Sequence, residues 1–329
     1  MIRFYPRTAR PVLASVAALC LLSLPALRAA AQEAAPVEDA PTPAGAPVFP
    51  KPDPANFTAA APTKEVVNAF LQNSWGYDEN RIWQVQAILK TPVEGLSKVV
   101  IYVGDKTGKQ KPGGMEFFAL PDGKHIIAGN DIVVFGEHPF AENRAIVQKR
   151  ADGPFRGAAS KDLELVEFAD FQCPHCKAAQ PNMEKLATDF PKARIVFQTF
   201  PLVKIHPSAG LAAAYGACVA KLGGNDAFFL FANTVFEGQD GLNTPDGATL
   251  TLNSAVTKAG LEPAKIAACA ETPATKAQVE GMIKLANDLD INETPMLSIN
   301  GRMLPIGAIP YETLKQIIAY QAKLDGVSQ

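Results

Sequence analysis

The sequence predicts an α/β fold with a helical insertion, preceded by a small α+β domain of one helix and an antiparallel meander. Three observations predict it. An apolar strand-like run ends at Ala169, two cysteines three positions apart follow (Cys173 and Cys176), and a helical pattern starts at once and runs to Phe190. The chain from about 206 to 290 is Ala-rich and helix-patterned, and lies between two strand-like regions. Between Arg81 and Phe135 apolar residues alternate with polar ones and are cut by Gly, Pro and Asp turn signals.

Residues 1–31 read as a secretory signal. Arg3, Arg7 and Arg10 form a basic region, and Val12 to Leu24 is apolar but too short for a membrane span. Ala29-Ala30-Ala31 fits a small-residue cleavage site. Removing this segment takes four Arg and Cys20. It leaves 27 Lys+Arg against 33 Asp+Glu, a net charge of −6, and four cysteines. Net negative charge argues against nucleic acid as a partner, which needs a basic patch. An even cysteine count in an exported chain fits an oxidising compartment such as the periplasm, with a soluble product after cleavage.

Residues 32–62 carry eight prolines, six of them from Pro41 to Pro54. That composition predicts an extended, semi-rigid Pro/Ala-rich linker.

Residues 63–140 form the small α+β domain. Thr63 can cap a helix over 64–75, with Val66, Val67, Phe70 and Leu71 on one face and Gly76 as its stop. Arg81 to Leu89 alternates, placing Trp83, Val85, Ala87 and Leu89 on one side of a strand. Strands are also expected over 97–104, 115–120 and 125–135, the last two joined by the turn Pro121-Asp122-Gly123-Lys124. Residues 141–160 read as a connecting helix to Arg150 and a loop broken by Gly153-Pro154 and Gly157.

The second domain spans residues 161–325. A core strand is expected over 162–169, the cysteine helix over 173–190, and a second strand over 194–200. The insertion, about 206–290, holds helices over 206–222 (stopped by Gly223-Gly224), from Asn225 onward, and over 250–259, 263–270 and 273–289. A strand over 296–299, the hairpin signal Asn300-Gly301, a strand over 302–306 and a closing helix over 311–324 complete it.

The chemistry centres on Cys173-Pro174-His175-Cys176. Cys173 falls at the first turn of a helix with Pro174 just inside, where its missing N–H costs nothing. Unpaired N–H groups and the helix dipole favour an anion there, and a thiolate is one. A protonated His175 would add positive charge. Both effects lower the thiol pKa, and thiolate is the reactive form. Cys176, one turn on, is placed to attack a mixed disulfide made by Cys173. A structural zinc would need four ligands, and no second cysteine pair exists, so neither a metal nor an organic cofactor is expected. Glu167, six residues before Cys173, can point beneath the site by strand alternation. It could then exchange a proton with Cys176; the alternative is a solvent-facing strand end. Cys218 and Cys269 are expected to form a structural disulfide, closing a loop worth about 4 kcal/mol in the chain-entropy model. The alternative is two buried thiols. His206 is read as part of a helix start, and the Phe228, Phe229 and Phe231 group as core.

The Cys-Pro-His-Cys stretch, with Glu167-Phe168 before it, resembles the thioredoxin superfamily in its DsbA-like periplasmic branch. The resemblance covers roughly residues 160–325. It implies a thioredoxin fold, a helical insertion, a Glu at position 167, and a cis peptide at Thr294-Pro295, which would hold a substrate backbone beside the sulfurs. It also implies a disulfide oxidase acting on unfolded or partly folded exported proteins, re-oxidised by a membrane redox partner. The Asp122 to Gly129 stretch is similar to the N-terminal dimerisation domain of DsbC/DsbG-like isomerases. That implies a homodimer through residues 63–140, and an isomerase or reductase as the competing activity. A non-redox chaperone or binding module on the same fold is the alternative of another class.

Overall fold

The computed structural model describes residues 49–108 and 111–327. The expected signal and the first part of the linker lie outside them. The described residues form one compact unit.

The Thr63 hydroxyl accepts the Val66 N–H and so starts α1, Lys64–Trp75. Its buried Val67, Phe70 and Leu71 pack on an antiparallel meander of five strands: β1 Arg81–Lys90, β2 Ser97–Asp105, β3 Gly113–Ala119, β4 His125–Ala128 and β5 Asp131–Val134. Two expectations are corrected here. The register of β1 against β2 slips between Val85 and Ala87. This bulge turns Ile88 rather than Leu89 into the core, because one extra residue flips every later side chain. The single strand expected over 125–135 is a tight hairpin, β4–β5, turning at Gly129 with φ of 64°.

The linker is also corrected over its described part. Residues 49–62 stay largely exposed but are tied to β1 and β2 by hydrogen bonds rather than standing free as a spacer. The Thr58 and Ala59 N–H groups both donate to the Ile88 carbonyl. The Ser97 hydroxyl donates to the Ala61 carbonyl, and Gln86 Nε2 to that of Pro50. The bulged β1 edge leaves backbone groups that these residues satisfy.

The helix α2, Ala141–Arg150, leads to a second sheet. Its order is β10-β9-β7-β8-β6, with β6 Phe155–Gly157, β7 Glu164–Ala169, β8 Arg194–Thr199, β9 Met296–Ile299 and β10 Arg302–Pro305. The two central strands β7 and β8 run parallel, and the rest pair antiparallel. The edge strand β6 was hidden in the sequence by its flanking glycines. One face of the sheet carries α3, Pro174–Asp189, and α8, Tyr311–Leu324, through Leu165, Met183, Leu186, Ile317 and Ile318. The other carries α7, Pro273–Asp288, against Val166, Phe168 and Val196.

The insertion is helical: α4 Ala209–Glu237, α5 Pro245–Lys258, α6 Pro263–Ala270 and α7. At Gly224 α4 kinks, with φ of 77°, so the expected break falls where a glycine permits it. Cys218 on α4 and Cys269 on α6 are joined by a disulfide. Phe228 and Phe231 are buried against Phe171 and Phe197, which anchors the insertion to the sheet. Among the described residues, no helix is long and apolar enough to cross a membrane.

The two sheets meet at Arg302. Its guanidinium donates to the Asn73 and Ser74 carbonyls at 3.2 and 2.7 Å, closing the C-terminal end of α1. Nearby, the Tyr320 hydroxyl donates to the Gln72 carbonyl at 2.7 Å.

Candidate active site

The strand β7 is buried along its length, and alternation sends Val166 and Phe168 to the α7 side and Leu165 and Glu167 to the α3 side. The chain leaves the sheet at Asp170 and enters α3 with Cys173 as N-cap and Pro174 as first helical residue. Pro174 and His175 are exposed, whereas Cys173 is 5% and Cys176 0% exposed. Both are free thiols. The outer sulfur is thus the one within reach of a partner, and the inner one sits beneath it.

Their environments push the two thiols in opposite directions. Cys173 is lowered to about 5, first by the hydrogen bond from the Cys176 thiol, then by Thr294 and by the backbone N–H groups of Cys176 and His175, against the opposing effect of burial. Where the sequence suggested a ring charge on His175, the structure supplies its backbone N–H. Cys176 is pushed well above the usual thiol range by burial, and further by its hydrogen bond to Cys173 and the negative charge that forms there. The Asp170 N–H, 3.4 Å from Cys176 Sγ, works in the opposite direction.

Thr294-Pro295 sits against the outer sulfur, and the peptide between them is cis. The Thr294 carbonyl oxygen lies 3.6 Å from Cys173 Sγ. Pro295 is buried, and its own carbonyl accepts the Ile306 N–H. Residues 121 positions apart in the chain are thereby brought to one sulfur.

Glu167 is 2% exposed rather than solvent-facing. Burial raises its carboxyl to about 7, against the Gln180 hydrogen bond and the Arg156 charge. Gln180 Nε2 donates to Glu167 Oε1 at 2.7 Å and to the Cys176 carbonyl at 3.1 Å, so one amide joins the buried acid to the cysteine helix.

Several residues here escaped the sequence reading. Gln239 Nε2 donates to the carbonyls of both Phe171 and Cys173 at 2.9 Å. Gln172 reaches the Leu242 carbonyl and accepts the Ser208 N–H. Asp170, fully buried, accepts the N–H groups of Gln172 and Leu202 and pairs with His206. Only Asp170 and Gln172 carried a signal: polar residues between an apolar run and a cysteine pair. Gln239 and His206 come from the insertion, where sequence distance hid them.

Known proteins with similar stretches include a Na(+)/H(+) antiporter NhaA 3 of Salinispora tropica, 34% identical over 91 residues, which are 28% of this chain and 14% of that one. The chain spans about a quarter or less of the length of the curated relatives it matches. Similar solved structures include a periplasmic thioredoxin-like protein from Salmonella enterica (22% identity, TM-score 0.44, covering 55% of this chain and 97% of that one). Another is ScsC of Proteus mirabilis (24% identity, TM-score 0.46, covering 56% and 77%). The family model described as Thioredoxin matches residues 149–319, the stretch that holds the second sheet, the cysteine helix and the Thr294-Pro295 turn. That match covers more than half of the sequence, and the chain belongs to the thioredoxin family.

Proposed function

We propose that the protein is an exported thiol–disulfide oxidoreductase that donates disulfides to unfolded or partly folded exported proteins in the periplasm. The observation that carries this reading is the split between the two thiols: Cys173 lowered to about 5 and Cys176 held high in one Cys-x-x-Cys turn. At pH 7 a thiol of that pKa is thiolate. Stabilising the thiolate stabilises the dithiol form, which makes the disulfide more oxidising by about 60 mV relative to an unperturbed thiol.

In the oxidised enzyme a substrate thiolate attacks Cys173 Sγ. The Cys173–Cys176 bond breaks, and Cys176 leaves with the electron pair and takes a proton. Glu167, with a carboxyl near 7, is the proposed source of that proton. A second substrate thiolate then attacks the substrate sulfur of the mixed disulfide. Cys173 leaves as its stable thiolate, and the substrate keeps the disulfide. Thr294 and Pro295 would hold the substrate backbone. The loop clasped by Asp170 exposes Val203 and Ile205, which suits apolar rather than sequence-coded contacts. A membrane redox partner would re-oxidise the pair.

Oxidation of a reduced two-thiol substrate by the purified chain tests the reading. Wild type is expected to form the substrate disulfide and Cys173→Ser to form none. Full function in Cys173→Ser would instead support a non-redox binding module. A dimeric isomerase is favoured by one observation: the edge strand β5 exposes Ile132 (68%) and Val133 (39%), an apolar edge suited to pairing with a second copy. Reactivation of a scrambled multi-disulfide protein, together with a dimer in sedimentation, would select that activity.

A further inference from the structure

Asp170 is 0% exposed and serves both cysteines through its backbone. Its N–H lies 3.4 Å from Cys176 Sγ, and its carbonyl accepts the Cys173 N–H at 3.1 Å. The placement of that N–H depends on how the side chain is held. Carboxylate Oδ1 accepts the Gln172 N–H at 2.7 Å, and Oδ2 accepts the Leu202 N–H at 2.8 Å. The remaining partner is His206, whose ring Nδ1 lies 2.8 Å from Oδ2. The ring is only 17% exposed. Its own backbone is tied down as well: the His206 N–H donates to the Leu202 carbonyl, and its carbonyl accepts the Ala209 N–H.

We propose that His206 is a positioning residue for the resolving sulfur: by hydrogen bonding to Asp170 it fixes the backbone N–H that meets Cys176. The proposal rests on the thiol–disulfide exchange reading above. Cys176 carries negative charge twice in that chemistry: when it is expelled from the disulfide, and when it attacks Cys173 in a mixed disulfide. In the second step a Cys176–Cys173 bond forms, the Cys173–partner bond breaks, and the partner sulfur leaves with the electron pair. A donor aimed at Cys176 Sγ favours both events. The outer sulfur is lowered by other groups, first the Cys176 thiol, then Thr294 and the backbone N–H groups of Cys176 and His175. His206 therefore acts chiefly on the steps in which Cys176 carries charge, rather than on attack by Cys173.

The test follows a mixed disulfide between Cys173 and glutathione through its decay, which releases glutathione as Cys176 attacks. In His206→Leu the decay is expected to slow about tenfold, the rate equivalent of one hydrogen bond to a charged group. Alkylation of reduced Cys173 by iodoacetamide is expected to keep its wild-type rate and pH midpoint. His206→Asn places an amide N–H near the Nδ1 position without the imidazole ring, and is expected to restore most of the decay rate. That rescue also separates positioning from a loss of folding. Unchanged decay in His206→Leu, or equal slowing of decay and alkylation, overturns the proposal. Failure of Asn to rescue a folded protein does so too. If wild type forms no mixed disulfide at all, it is the exchange reading that falls.

Discussion

Cys173 and Glu167 show how environment rather than residue type sets reactivity. The largest influence lowering Cys173 is the Cys176 thiol hydrogen bond. Thiolate absorbance of the reduced protein is therefore expected to rise with a midpoint near 5, and to move upward in Cys176→Ala. A midpoint unchanged by that substitution would assign the effect to the helix N–H groups instead. Glu167 runs the other way. Its folded carboxyl, at about 7, lies above the ordinary carboxylate value. Between the two values the folded chain holds a proton that the unfolded chain has lost, so stability falls as pH rises from about 4.5 to 7. Glu167→Gln removes the charge and is expected to stabilise the protein at pH 8 by up to about 3 kcal/mol, and by little at pH 4. Denaturant unfolding at the two pH values checks this; equal effects at both would show that ionisation of Glu167 is not the cause.

At the scale of elements, the insertion is held to the sheet by packing and closed on itself by one covalent bond. The disulfide joins α4 to α6 across 51 positions. Replacing both Cys218 and Cys269 by Ala is expected to cost about 4 kcal/mol in the chain-entropy model. Chemical unfolding under non-reducing conditions measures it, and a loss below about 1 kcal/mol would mean that the unfolded insertion already keeps its ends together. The same elements show what could be read directly from the chain. The capping signal at Thr63 and the prolines at Pro263 and Pro273 placed their helices to within a residue or so, because those signals act locally. The bulge at Gln86 and the turn at Gly129 were not legible: each depends on a partner strand satisfying the backbone.

For the whole molecule, the question is how the small domain is tied to the catalytic one. Arg302 is 7% exposed, donates to two α1 carbonyls, and lies 5.3 Å from the Tyr77 ring and 5.4 Å from that of Phe140. Arg302→Met is expected to lower stability by about 3 kcal/mol, since it removes a charged donor from two half-buried carbonyls. Amide exchange should rise across α1 and stay low along β7 and α3. Uniform loss of protection across both would instead make the two sheets a single cooperative unit.

Much of the active site was already determined by the sequence itself. A strand, two cysteines at one-turn spacing, a proline at the first helical position and a positive helix end are all local, so Cys173, Pro174, His175 and Cys176 could be placed without coordinates. Glu167 followed from the period of a strand. The tertiary structure alone decided what surrounds them. It brought the Thr294 carbonyl to the outer sulfur, Gln180 to the buried acid, Gln239 to the loop carbonyls and His206 to Asp170. These partners come from other turns, strands and helices, and a hydrogen bond depends on separation in space, which sequence distance does not report.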